Sequence, residues 1–224
     1  MSGSLMENNS TSLSGKILSK PKFSHEIYGE GFYLVTVEVS RLSDTYDYIP
    51  VMFSERLLPI EEFQEGKMIA VEGQFRSYNN YNSESSHKLM LTVFARDIIF
   101  IDSVDEVKIP NSIFLNGYIC KKPIYRTTPF GREISDILLA VNRAYNKSDY
   151  IPCIAWGRNA RFASSFEVGD NIKVWGRIQS RQYQKKFQDG TVEDRTAYEV
   201  SISKMELSKE KNNFHREDEE EEMV

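Results

Sequence analysis

The 224-residue chain is poor in cysteine, with two, and in histidine, with three. Cys120 and Cys153 sit in alternating apolar segments, where free cysteine behaves as a small core hydrophobe, and two such residues make no disulfide framework. His25, His87 and His215 are scattered, with no second His or Cys at ligand spacing. Neither a zinc centre nor a Cys-His nucleophile is supported, and no cofactor or metal is expected. The GxxxxGK[ST], GxSxG and HExxH patterns are absent, and the carboxylates are dispersed, so the chain reads as a non-enzyme. No run approaches the roughly 18 apolar residues of a membrane span. The opening MSGSLMENNSTSLSG lacks the basic-then-apolar layout of a secretory signal, so a cytoplasmic location and no membrane contact are expected.

The composition that remains is ordinary for a globular chain: 40% hydrophobic, 12% aromatic and 27% charged. Such a length suits two small domains of about 100 residues each. Sliding the sequence against itself supports that division. At a shift of 102, Gly15 falls on Gly117, Pro21 on Pro123, Arg41 on Arg143 and Tyr48 on Tyr150, and the tripeptide Tyr-Ile-Pro recurs at 48–50 and 150–152. At a shift of 103, Gly66 falls on Gly169, Val71 on Val174, Gly73 on Gly176 and Ser77 on Ser180, as a one-residue insertion would produce. Self-similarity over this length means two copies of one fold.

Within each copy, short segments alternate at period two, as in Tyr198, Val200 and Ile202 with polar residues between them, and imply half-buried antiparallel strands. Asp189-Gly190 lies between YQKKF and RTAYEVSI like the tip of a long hairpin. One short helical stretch is expected in each copy, at SERLLPIEEF and at RNARFASSFEV. The fold class expected is all-β: two tandem five-stranded Greek-key barrels of OB type, followed by a disordered acidic tail. The boundaries read as a disordered arm over 1–11, a first barrel over 12–103, a linker over 104–111, a second barrel over 112–207 and the tail over 208–224.

Along most of its length the second copy resembles the bacterial single-stranded DNA-binding protein family. The resemblance is carried by IFLNGYICKKPIYRTTPFGREI, LLAVNRAY, DYIPCIAWGRNA, VGDNIKVWGRIQSRQY and RTAYEVSI, in the family's order and spacing. It implies a non-catalytic OB fold that binds single-stranded DNA in replication, recombination or repair, and it puts the family's stacking positions on Tyr145, Tyr150, Trp156 and Tyr183. Tyrosine stands here at several positions where the family has tryptophan. Every base has a π-face, so such stacking is tolerant of sequence. Tyr150 and Trp156 are both even-numbered in an alternating run and share a face, which is either the binding surface or the core. Phe162, Phe166 and Trp175 read as core or helix-facing. Basic candidates are Arg126, Arg143, Arg158, Arg161, Arg177, Arg181, Lys185 and Lys186; Arg158 and Arg181 are interleaved with the aromatics, and the last two lie on the hairpin arm.

Charge separates the copies. Residues 111–208 hold 15 Lys and Arg against 10 Asp and Glu, whereas residues 1–110 hold 10 against 16, so a polyanion is drawn to the second copy. The first copy has serines, Ser43 and Ser54, at or near the places of Tyr145 and Trp156 and keeps only Tyr48, and it reads as degenerate. Family members assemble four barrels, which for this chain implies a homodimer. The tail KEKNNFHREDEEEEMV is acidic enough to repel itself. It reads either as a solubilising end or, by resemblance, as a tip at Asp218, Glu219, Glu220, Glu221, Glu222, Met223 and Val224 that recruits replication or repair proteins. The family's aromatic terminus and long preceding linker are missing from it. The alternative function is a primosome-like scaffold that uses its OB folds for protein contacts, and RNA remains open beside DNA as the polymer bound.

Overall fold

The computed structural model describes residues 8–80, 88–103, 109–144, 147–187 and 189–208. The first copy has six strands, β1 (Asn9–Ile17), β2 (Lys22–Ile27), β3 (Glu30–Ser40), β4 (Tyr46–Ser54), β5 (Met68–Asn80) and β6 (Lys88–Ile101), of which β2 pairs with β3 alone and the other five close the barrel. The second repeats the order with β7 (Asn111–Ile119), β8 (Ile124–Thr127), β9 (Glu133–Arg143), β10 (Lys147–Trp156), β11 (Asn171–Lys186) and β12 (Val192–Leu207), adding α1 (Arg158–Ala163) after β10. β1 starts at Asn9 and β7 at Asn111, earlier than the boundaries at 12 and 112 read from the sequence. The acidic residues 209–224, with the partner-binding positions assigned to them, lie outside the described residues.

Each barrel closes in the same two ways. β4 runs parallel to β6 at Val51↔Val93, as β10 does to β12 at Cys153↔Val200, while every other pairing is antiparallel. β1 bends to pair with both β5 and β3, and β7 with both β11 and β9. Gly15 and Gly117 sit at the bend. A Cβ on Gly15 would collide with the Glu38 carbonyl, and one on Gly117 would lie 2.8 Å from the Ala140 carbonyl oxygen, which explains why glycine recurs at this repeat position. The alternation read from the sequence faces inward at matched places. Leu13 and Leu115, Ile17 and Ile119, Ile49 and Ile151, Ile69 and Ile172, and Val71 and Val174 are all buried.

The copies differ where the 102-residue shift becomes 103. In the second, α1 buries Ala160 and Ala163 beside Ala155 and Phe166. In the first, the expected helix is a three-residue 3-10 turn, Ile60–Glu62, and a Phe53–Phe63 stack with centroids 4.0 Å apart fills the same end. Pro59 lies inside the stretch expected to be helical and disfavours helical backbone at the residue before it. Phe53 takes the volume that Ala155 leaves for α1.

The barrels join edge to edge. β1 pairs antiparallel with β7 from Asn9↔Leu115 to Leu13↔Asn111. Thr11 and Ile113, equivalent residues, face each other at the centre, so a pseudo-two-fold axis passes between them. All twelve strands form one continuous sheet.

Candidate nucleic-acid interface

β10 is the spine of the site. Its inner residues Ile151, Cys153 and Ala155 are buried, while Tyr150 and Trp156 emerge on the opposite face, 47% and 36% exposed. The shared face expected from their spacing is therefore the outer one. Six residues of strand separate the two rings by about 20 Å, room for several nucleotides. Trp156 Nε1 donates to Ser201 Oγ on the adjacent β12 at 3.3 Å, which holds the indole edge and leaves ring surface open. Tyr150 is fixed through its backbone, whose N–H donates to Ser77 Oγ of the first barrel at 2.8 Å. Tyr145 lies outside the described residues; Asn142, Arg143, Lys147 and Ser148 line an open depression.

Tyr183 stands on the hairpin arm formed by the outer ends of β11 and β12, with the Arg181 guanidinium 5.6 Å from its ring centroid. Strand pairing runs out to Lys186↔Val192, and Gly190, at φ 83°, turns the chain where the Asp-Gly pair was expected to. The arm carries more than the sequence suggested. Lys185 and Arg195 lie 5.0 and 5.5 Å from the Phe187 ring centroid, making an aromatic with a cation close at hand twice over. Phe187 and Arg195 are absent from the residues expected from the sequence. The run Lys-Lys-Phe and the pairing of strands across the Asp-Gly turn were the available signals.

The basic residues divide by what already holds them. Arg126 donates two hydrogen bonds to Asp136, at 2.7 and 3.2 Å. Arg181 is 4.0 Å from Glu199, a carboxylate also engaged by Gln179 at 2.7 Å. Arg143 is turned to the barrel seam, 3.3 Å from Asp149. Arg158, exposed at the start of α1, and Lys186 make no ion pair or ring contact among the described residues. Two further expectations are corrected. Phe166 is core, but Phe162 is 44% exposed against its edge. Trp175 is half-buried on the outer face, against Phe114 at 5.1 Å and under Lys204 at 4.4 Å, because alternation with buried Ile172 and Val174 turns it outward despite its size.

In the first barrel the face is remade. Ser54 occupies the place of Trp156 and donates to Glu30, whereas Phe94 occupies the place of Ser201, next to Phe32 at 5.8 Å. Tyr48 is retained at 39% exposure, its N–H bound to Ser180 Oγ at 2.9 Å as Tyr150 is to Ser77. Among the described residues no three His, Cys, Asp or Glu side chains gather as metal ligands, and no helix is long and apolar enough to cross a membrane.

Residues 110–208 match the model of the Single-strand binding protein family. Curated relatives include Single-stranded DNA-binding protein 2 of Listeria innocua, 36% identical over 81 residues, 33% of this chain and 51% of the relative. Another is Single-stranded DNA-binding protein A of Bacillus subtilis, 34% identical over 83 residues, 34% of this chain and 48% of the relative. The chain thus spans about half the length of the curated relatives it matches. Among solved structures, the wild-type single-stranded DNA binding protein from Thermus aquaticus superposes with a TM-score of 0.70 at 20% identity, covering 90% of this chain and 93% of that one. At that identity the likeness is one of fold, and it extends over both barrels.

Proposed function

We propose, from the premise that residues 110–208 are a domain of the single-strand binding protein family, that this chain binds single-stranded DNA without catalysis and with little regard to sequence. The observation that carries this is the outward row Tyr150 and Trp156 on β10, continued by Tyr183 on the arm, in the half of the chain with excess positive charge. Bases stack on these rings and on Tyr145, while Arg158, Arg181, Lys185 and Lys186 track phosphates. Stacking of this kind contributes about 1–3 kcal/mol per base, and phosphate contacts make affinity fall steeply with salt. Arg126 and Arg143, engaged by carboxylates, serve the strand only by sharing those partners.

Titration of intrinsic tryptophan fluorescence with an oligothymidine at two salt concentrations tests the reading. Quenching that weakens with salt is expected, and Trp156→Ala should cost about 1–3 kcal/mol of affinity. No quenching and no binding would sink it. DNA replication, recombination or repair in the cytoplasm is the process proposed. Two chains pair to present four barrels, and a solution mass of one chain at micromolar concentration would exclude that. The acidic tip competes with strand for the basic face or recruits partner proteins. Truncation after Ser208 should therefore tighten strand binding at low salt, and an unchanged affinity would reject the competition.

A further inference from the structure

The two seams flanking the pseudo-two-fold axis are built from equivalent residues but are not equally satisfied. At one, buried Asp47 accepts from Arg41 at 2.8 and 2.5 Å, from Arg177 at 3.0 Å and from the Ser180 N–H at 2.7 Å. That carboxylate is saturated. At the other, the equivalent Asp149 accepts from the Ser77 N–H at 2.8 Å, but its Oδ2 and the Arg143 Nε, both buried and 3.3 Å apart, form no hydrogen bond. The residue just before Ser77 is Arg76, whose guanidinium lies 4.2 Å from the Phe94 ring centroid and is held on one side by Gln74 Oε1 at 2.7 Å.

A third guanidinium stands on the neighbouring strand. The β-bulge in the β5–β6 pairing sets Gly73 opposite Ala95 and Glu72 opposite Asp97, leaving Arg96 as the extra, unpaired residue, exposed on the surface. At the equivalent bulge of the second barrel the extra residue is Ser203, so the other seam lacks this charge. Arg76 is held below the ordinary arginine range by burial first, then by Arg143, with Arg96 adding to the effect and Asp149 the one carboxylate opposing it. Two cations, Arg143 and Arg76, therefore act on one incompletely bonded carboxylate, and Arg96 adds a third charge beside Arg76. Crowding like charges costs energy that an arriving anion offsets. Tyr150, one residue beyond Asp149 and bonded to Ser77, is a stacking ring at this seam.

We infer that Arg76 and Arg96 of the first barrel and Arg143 of the second form a phosphodiester site straddling the seam, which takes the strand from Tyr150 onto the first barrel. The acidic, aromatic-poor first barrel then contributes to binding directly, by charge. The site rests on the single-strand reading above and adds to it a path between barrels. The saturated seam at Asp47 is a clamp, and the under-bonded one at Asp149 is the crossing.

The test uses the full chain and two oligothymidines, one of about 10 nucleotides, within the 4–16 that an OB fold covers, and one of about 35. Arg96→Gln is the main variant, since an exposed residue in no ion pair among the described residues is dispensable for folding, and Arg76→Gln is the second. For both, affinity for the long strand is expected to fall several-fold, with the slope of log affinity against log salt reduced by about 0.7 for each phosphate no longer neutralised, while affinity for the short strand is unchanged. If the wild type binds both strands and Arg96→Gln alters neither the affinity nor the slope for the long one, the crossing is wrong and the single-strand reading survives. Equal loss for both lengths also overturns the crossing, because it places Arg96 on the path of the second barrel alone. If the wild type binds neither strand, both readings fall together.

Discussion

Asp149 shows how one side chain links the seam to solution conditions. Burial pushes its carboxyl above the ordinary value, against the opposing effects of the Ser77 N–H and Arg143. A folded state that holds the proton more tightly than the unfolded one loses stability as pH rises from below the unfolded value through the folded one. The Asp149→Asn variant keeps an acceptor for Ser77 and removes the titration. Across the range from about pH 4 to neutrality, the urea-unfolding free energy of the wild type relative to this variant should therefore decline as pH rises. A relative stability that climbs over that range would contradict the assignment. Single residues were unevenly legible from the sequence. That Tyr150 and Trp156 share a face followed from spacing, but that this face is the outer one depends on which side of β10 the core fills, and that Arg126 and Arg143 already face carboxylates depends on pairings between strands of the second barrel.

Among the elements, the β11–β12 arm is the clearest candidate for a part that moves onto bound strand, because its outer residues from Arg181 to Phe187 are all exposed. With Lys185 and Lys186 both changed to glutamine, the salt slope of strand binding should drop by about 0.7 for each phosphate the arm ceases to engage, while the folding midpoint stays put because neither residue enters an ion pair among the described residues. An unchanged slope would place the arm off the DNA path. The arm was readable in advance because its Asp-Gly turn and alternating flanks are local signals. The first-copy helix was not, since whether a turn or a helix fills a barrel end depends on the volume opposite, Phe53 in one copy and Ala155 in the other.

For the whole molecule, edge-to-edge pairing of β1 with β7 and two buried carboxylates at the seams make the barrels one cooperative body. Removing Asp47 would take the carboxylate from Arg41 and Arg177 and the acceptor from the Ser180 N–H, and loss of a partner from a buried charge network costs about 3–5 kcal/mol. Asp47→Ala is expected to lower stability on that scale. In the wild type, tryptophan fluorescence, which reports only the second barrel, and far-ultraviolet dichroism, which reports both, should trace coincident urea transitions. Separated transitions would mean the barrels fold apart. The repeat announced two like domains, but it was silent on their contact. A symmetric homodimer must write every substitution on both sides of its axis, whereas the Thr11–Ile113 axis lies within one polypeptide. The Gln74 and Arg76 pair of one half can therefore stand as Arg177 and Gln179 in the other, each arginine still bonded to its neighbouring glutamine. Covalent linkage frees the two halves to diverge, so that one keeps the aromatics while the other specialises in charge.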